Sequence, residues 1–330
     1  MGGKTLRLAI ALILTGVVLY LSRPSEILAA TASADLRWLA AALGLVLVDR
    51  TLMAMRWIDL LVALAPGSRP PLGAVLRVFF VSSFVSNFVP SVASDMYRAY
   101  ALSKYDVHLA ESTASVLMDR ALGVLSVVLV GGLSLLFARN VSVPRELLLS
   151  LGLMFAVCAV AAAVVFSETA AGWVRAFAAL MPIALLRRVA ETLTDAVRRY
   201  ADHHREMVRV LAYSIVVQII RVLQAWCLGV GLGLSLPASA YFAFIPVIVL
   251  VMQLPITPNG LGTTQAAFYW LFLPAGAPAP RVFALSVLFL ALGIVGTLPG
   301  GILYALGGDR RREPRGMNGS DGLRGGTSRP

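Results

Sequence analysis

Charge is what this sequence is short of: only 14% of its 330 residues are Asp, Glu, Lys or Arg, whereas a soluble domain carries about 25%. Side chains that carry chemistry are scarce as well. The adjacent His203 and His204 would point about 100° apart on a helix, and with three histidines in all a His-based metal site is excluded. The two cysteines, Cys158 and Cys227, lie inside apolar segments and read as small packing residues, not as a disulfide framework. No nucleophile–base pair, P-loop, dinucleotide fingerprint or zinc spacing stands out, so no metal and no cofactor is expected.

What fills the chain instead is apolar. Hydrophobic residues make up 58% of it and the mean hydropathy is +0.82, the composition of an integral membrane protein built of helices. The net charge of +11 does not point to nucleic acid. Its basic residues sit in short connections and in the tail, where they suit cytoplasmic loops facing anionic lipid.

Spans of about 17–25 apolar residues are the unit to count. They are predicted at Leu6–Leu21, Leu39–Leu64, Ser112–Phe137, Leu147–Phe166, Val210–Leu228 and Val282–Leu306. The first follows Lys4 and Arg7 as a signal peptide would, but the small residues at 30–34 lie far past its end, so it reads as a retained helix. Two further apolar segments are interrupted. Leu72–Val89 runs into Asn87-Phe88-Val89-Pro90 and then a polar helix over Asp95–Lys104. Tyr241–Leu254 runs into Pro255 and Gly260-Leu261-Gly262, then a short helix over Thr264–Leu273. A backbone can leave the helix inside a membrane only where protein or a water-filled cavity satisfies its polar groups.

Lys and Arg in the connections place both termini and the middle segment in the cytoplasm. Parity then makes the two interrupted segments re-entrant hairpins of opposite orientation. The expectation is an all-α polytopic bundle of about six spans and two opposed hairpins, the arrangement of an inverted-topology repeat. Residues 1–308 form the membrane domain. Within it, segment 167–209 carries an amphipathic cytoplasmic helix, with Leu186, Val189, Leu193, Val197 and Tyr200 on one face. Residues 309–330 read as a disordered basic tail.

Intramembrane charges are costly and are functional candidates by default. At helical spacing Arg56 can pair with Asp59, and Asp95 with Arg98. Asp119 shares a small polar stripe with Ser112, Ser115, Gly123 and Ser126, and Arg221 shares one with Ser214, Gln218 and Ala225. Two readings of Arg221 stand: a phosphate ligand, or a structural ion pair with Asp119. Arg50 and Arg77 read as snorkelling side chains. Ser94-Asp95 and Thr263-Thr264 read either as helix starts offering N–H groups to an anion or as ordinary capped loop ends.

Together these motifs resemble the lysylphosphatidylglycerol synthase transmembrane region family over about residues 5–306. Asn87, Pro90, Asp95 and Arg98 match its first motif, with Ser91 and Ser94 where glycines are usual. Asp119-Arg120 fits its acidic–Arg pair. Pro255, Gly260 and Gly262 match its later motif, with Gln265 in place of the usual Glu. The resemblance implies a flippase-like domain that moves lipids between leaflets; the fused synthase domain of the best-known relatives has no room in these residues, so aminoacyl transfer is not carried over.

The expected function is a plasma-membrane transporter of an anionic phospholipid or lipid-linked phosphate. The alternative is an accessory subunit or enzyme of polyprenyl-phosphate, glycolipid or hopanoid assembly. The expected partners are membrane lipids with phosphate head groups and a lipid-modifying enzyme, with no nucleic acid. The expected substrate-binding residues are Asn87, Asp95, Arg98, Asp119, Arg120, Arg221, Gly260, Gly262, Thr264 and Gln265.

Overall fold

The computed structural model describes mainly residues 34–64, 70–89, 91–102, 107–137, 167–179, 198–253 and 262–306, with a few isolated positions besides. The predicted spans at Leu6–Leu21 and Leu147–Phe166, most of the amphipathic face over 186–197, Pro90, Pro255, Gly260 and the tail lie outside these residues, or largely so. Among the described residues every regular element is a helix. In chain order they are α1 (Leu36–Leu64), α2 (Leu72–Val85), α3 (Ser91–Leu102), α4 (Leu109–Phe137), α5 (Glu168–Ala179), α6 (His204–Gly231), α7 (Ala238–Gln253), α8 (Thr263–Phe272), α9 (Ala279–Val295) and α10 (Leu298–Leu306).

Four helical stretches are long and apolar enough to cross a bilayer: α1, most of α4, α6, and α9 with α10. At 1.5 Å per residue, 28 residues reach about 42 Å, more than the roughly 30 Å of hydrocarbon. The 14 residues of α2 reach only about 21 Å, too short to cross alone. Instead α2 and α3 pack against each other across a turn at 86–89, and α7 packs against α8. The described chain thus twice repeats the order long helix, two short helices, long helix.

The most extensive contact pairs α1 with α6, and they run antiparallel. At one end the Asp35 N–H donates to the Gly231 carbonyl at 3.0 Å, and Trp38 meets Trp226 edge-on. At the other, the Tyr200 hydroxyl donates to the Leu60 carbonyl at 2.8 Å, and Arg209 lies 3.4 Å from Asp59. Burial raises the Tyr200 phenol well above its ordinary pKa, with a smaller contribution from the charge on Asp119, so it stays a donor. The remaining long helices cross between the halves: α4 packs on α7, and α10 packs on α2. The α10–α2 contact is close because Gly300 has no Cβ; one placed there would strike the Phe80 carbonyl.

Two helices depart from the sequence-based expectation. The polar helix expected from Asp95 begins at Ser91, because none of Val92, Ala93 or Ser94 stops it. Asp95 therefore stands inside α3, not at its start. The span expected to run unbroken over Val282–Leu306 is interrupted at Gly296-Thr297. The Thr297 N–H bonds the Ile294 carbonyl, three residues back, and Pro299 has no N–H to offer. The Gly293 carbonyl, which Thr297 would reach in an unbroken helix, accepts from Arg50 Nη2 at 3.0 Å.

Candidate functional site

The midpoints of three long helices meet at one place. Arg50 in α1, Gly123 in α4 and Gln218 in α6 each stand at the centre of their helix, about 20 Å from either end. All three line a cavity of about 190 Å³ that α2 and α3 complete with Ser83, Ser86, Ser94, Asp95 and Arg98. Five guanidinium groups face it: Arg50, Arg56, Arg98, Arg120 and Arg221.

Each arginine is held by its own set of partners. Arg56 Nε lies 2.6 Å from Asp119 Oδ1, and its Nη1 donates to Ser214 Oγ at 3.1 Å. Arg120 Nε lies 2.8 Å from Asp95 Oδ2, and Arg221 Nε lies 3.1 Å from Asp49 Oδ1. In all three pairs the closest contact uses Nε, the inner nitrogen. A two-point fork onto a carboxylate would consume the terminal nitrogens. Here each acid takes the inner nitrogen, and terminal nitrogens reach other acceptors: Arg56 Nη1 donates to Ser214 Oγ and Arg221 Nη2 to Met53 Sδ at 3.1 Å. Arg98 is positioned differently. Its Nε donates to Ser82 Oγ at 3.1 Å, Nη1 lies 3.8 Å from Asp119 Oδ2, and the guanidinium sits 5.1 Å and 4.9 Å from the ring centres of Trp57 and Phe79. Trp57 is fixed in turn by donating its indole N–H to Ser115 Oγ at 3.2 Å.

Exposure grades across the site. The Arg56 and Asp119 side chains are only 5% and 7% exposed, whereas that of Arg120 is 40% exposed at the cavity's rim. The depth of the first pair follows from its surroundings: Leu60, Met118, Leu122, Tyr200 and Met207 form an apolar cluster on that side.

The structure brings Asp95, Arg98, Asp119, Arg120 and Arg221 together at this cavity. Asn87 stands apart and donates to Thr297 Oγ1 at 2.8 Å, tying the turn after α2 to the break between α9 and α10. Gly262, Thr264 and Gln265 do not line the cavity. They build the start of α8: Gly262 takes φ +82°, where a side chain is strained, and its N–H donates to Gln265 Oε1 at 2.7 Å. Thr264 is buried, and its hydroxyl has no hydrogen-bond partner among the described residues. Gly260 lies outside the described residues.

The ion pairs in the structure differ from those the sequence suggested. Asp95 binds Arg120 instead of Arg98, Asp59 binds Arg209 instead of Arg56, and Arg221 binds Asp49 instead of Asp119. Within one helix a partner three residues away must compete with partners that neighbouring helices present at a better angle. Arg50, read from sequence as snorkelling, turns into the cavity and caps the broken helix. Arg56 and Asp49 also belong to the site without having been expected there. Their signal was in the sequence: Asp49, Met53 and Arg56 fall on one face of α1.

Among the described residues no group of His, Cys, Asp and Glu could hold a metal ion. The sequence model of the family described as "Lysylphosphatidylglycerol synthase TM region" matches residues 5–300. None of the curated proteins compared with the chain matches it.

Proposed function

From a chain that belongs to the lysylphosphatidylglycerol synthase TM region family, and so is a helical membrane protein, we propose a transporter that carries an anionic lipid head group through its central cavity between leaflets. The observation that carries this reading is the gathering of five arginines at the midpoints of membrane-crossing helices. Charge at that depth is costly in lipid and is tolerated where it serves a polar path. Arginine suits phosphate in particular, because its planar fork meets two oxygens at once. An enzyme working on head groups needs its site only at the depth where head groups lie. A cavity some 20 Å from either helix end serves passage.

The surrounding topology is part of the same proposal. The short pairs α2–α3 and α7–α8 are re-entrant hairpins of opposite orientation in two inverted halves. The contacts support this, since α1 meets its counterpart α6 while α4 and α10 each pack on the other half's first short helix. The protein resides in the plasma membrane, with both termini, the segment 167–209 and a basic tail in the cytoplasm. Its partners are phosphate-bearing lipids.

Reconstitution tests the reading. In vesicles containing the full chain and a fluorescent anionic lipid, inner-leaflet lipid should lose its protection from an impermeant quencher faster than in protein-free vesicles. Lipid of altered mass without leaflet exchange would instead establish an enzyme.

A further inference from the structure

The charges around the cavity do not balance, and the imbalance has a pattern. The charged groups that act on Arg98 are Asp119, Asp95, Arg120 and Arg56, and those that act on Arg50 are Asp49 and Arg221. These eight residues form two groups. Where α3, α4 and α1 meet, three guanidiniums face two carboxylates. Where α1 meets α6, two guanidiniums share the single carboxylate of Asp49, at 3.1 Å from Arg221 and 4.0 Å from Arg50. Among the described residues, each group is left with one positive charge in excess. Arginine cannot shed its proton to relieve this. A surplus at mid-membrane depth is stabilised by a counter-charge, and desolvation makes that demand stronger than it would be in water.

We infer that the cavity selects a head group bearing two negative charges, a phosphate monoester or a diphosphate, over a singly charged phosphodiester. The inference rests on the transport reading and narrows its substrate. A phosphate monoester carries about −1.5 to −2 at neutral pH and presents three oxygens, so it can face both groups at once. A phosphodiester carries one charge and leaves one group uncompensated. Amine-bearing head groups are rejected for a separate reason. All three carboxylates are already bound to arginines, so an ammonium would find five cations and, among the described residues, no unengaged acid.

The test compares lipids in vesicles holding the full chain. Fluorescent phosphatidic acid, a monoester, should exchange between leaflets about tenfold faster than phosphatidylglycerol, a diester, and phosphatidylethanolamine should not exceed the protein-free rate. Arg221→Gln removes the surplus of the α1–α6 group and should bring the first two rates to within about threefold. Arg120→Gln, at the exposed rim, does the same for the other group if the first variant fails to insert. Equal or faster movement of phosphatidylglycerol by the wild-type chain overturns the two-charge selection while leaving transport standing. Movement of no lipid overturns the transport reading itself. Calorimetric binding of inorganic phosphate, undiminished by phosphatidic acid, would keep the charge selection but assign it to a soluble ligand.

Discussion

Arg120 and Asp95 stand 25 positions apart in the chain and 2.8 Å apart in space, so the ion pair at the cavity's rim joins α4 to α3. The Arg120 side chain is 40% exposed at the cavity's rim, more than any other paired arginine there, and an Asn at position 95 could still accept from it. The role of the pair is to aim the guanidinium. Asp95→Asn should therefore leave the thermal midpoint of the purified protein nearly unchanged while slowing lipid exchange, a split that parallel melting and exchange assays would reveal.

The Arg56–Asp119 pair should behave in the opposite way. Both side chains are buried, so Asp119→Ala strands a charge inside the bundle and should cost about 3–5 kcal/mol. Replacing both partners together, as Arg56→Met with Asp119→Leu, should recover most of that stability and none of the transport. Detergent-resistant thermal unfolding measures the first effect and vesicle exchange the second.

Arg98 separates charge from shape. Lysine at this position keeps the charge but cannot lay a flat group over Trp57 and Phe79 while donating to Ser82. Arg98→Lys should slow lipid exchange by about tenfold, the equivalent of one or two lost contacts of about 1 kcal/mol each, with insertion intact. Arg98→Ala should slow it further. Exchange at the wild-type rate in Arg98→Ala would remove this residue from the site.

At the start of α8, Gln265 accepts from the Gly262 N–H, a bond a carboxylate would also make. Gln265→Glu should be tolerated and should gain about 0.3–1 kcal/mol from the helix dipole, while Gln265→Ala should lose about 1 kcal/mol. Thermal melts of the two variants distinguish a capping role from a charge-coupling one. If exchange depends on the charge at this position, Gln265→Glu will change its rate without the matching shift in stability.

The proposed opposition of the two hairpins predicts sidedness. With Cys158 and Cys227 replaced, single cysteines at His108 and Pro274, the exposed ends of the two short-helix pairs, should react with an impermeant thiol reagent from opposite faces of the membrane. Labelling from the same face would rule out inverted hairpins.

The helices were largely legible from hydropathy, and the interruption after α2 from its own residues: Asn87 ends up in the turn and Ser86 hydrogen-bonds back into the helix. A further interruption, between α9 and α10, was not legible as a break, because Gly296, Thr297 and Pro299 sit in an otherwise apolar run. Polar stripes also marked the inward faces of α4 and α6, with Ser112, Ser115, Ser126 and Ser214 fully buried. What could not be read was who pairs with whom. Spacing along one helix offers Asp95 to Arg98, but the rotation of α3 against α4 decides that Arg120 takes it. That rotation is set by packing between elements, and no local pattern encodes it.

The grip of the carboxylates on inner nitrogens has a consequence for how such a site changes over evolutionary time. The basic groups supply attraction, and the acids supply aim and set the surplus. Under the proposed selection, neutralising Asp49 would keep every arginine but loosen the aim of Arg221, while raising the charge the cargo must match. A lineage could thus move toward more highly phosphorylated head groups, or back, by substituting acids alone and leaving its arginines untouched.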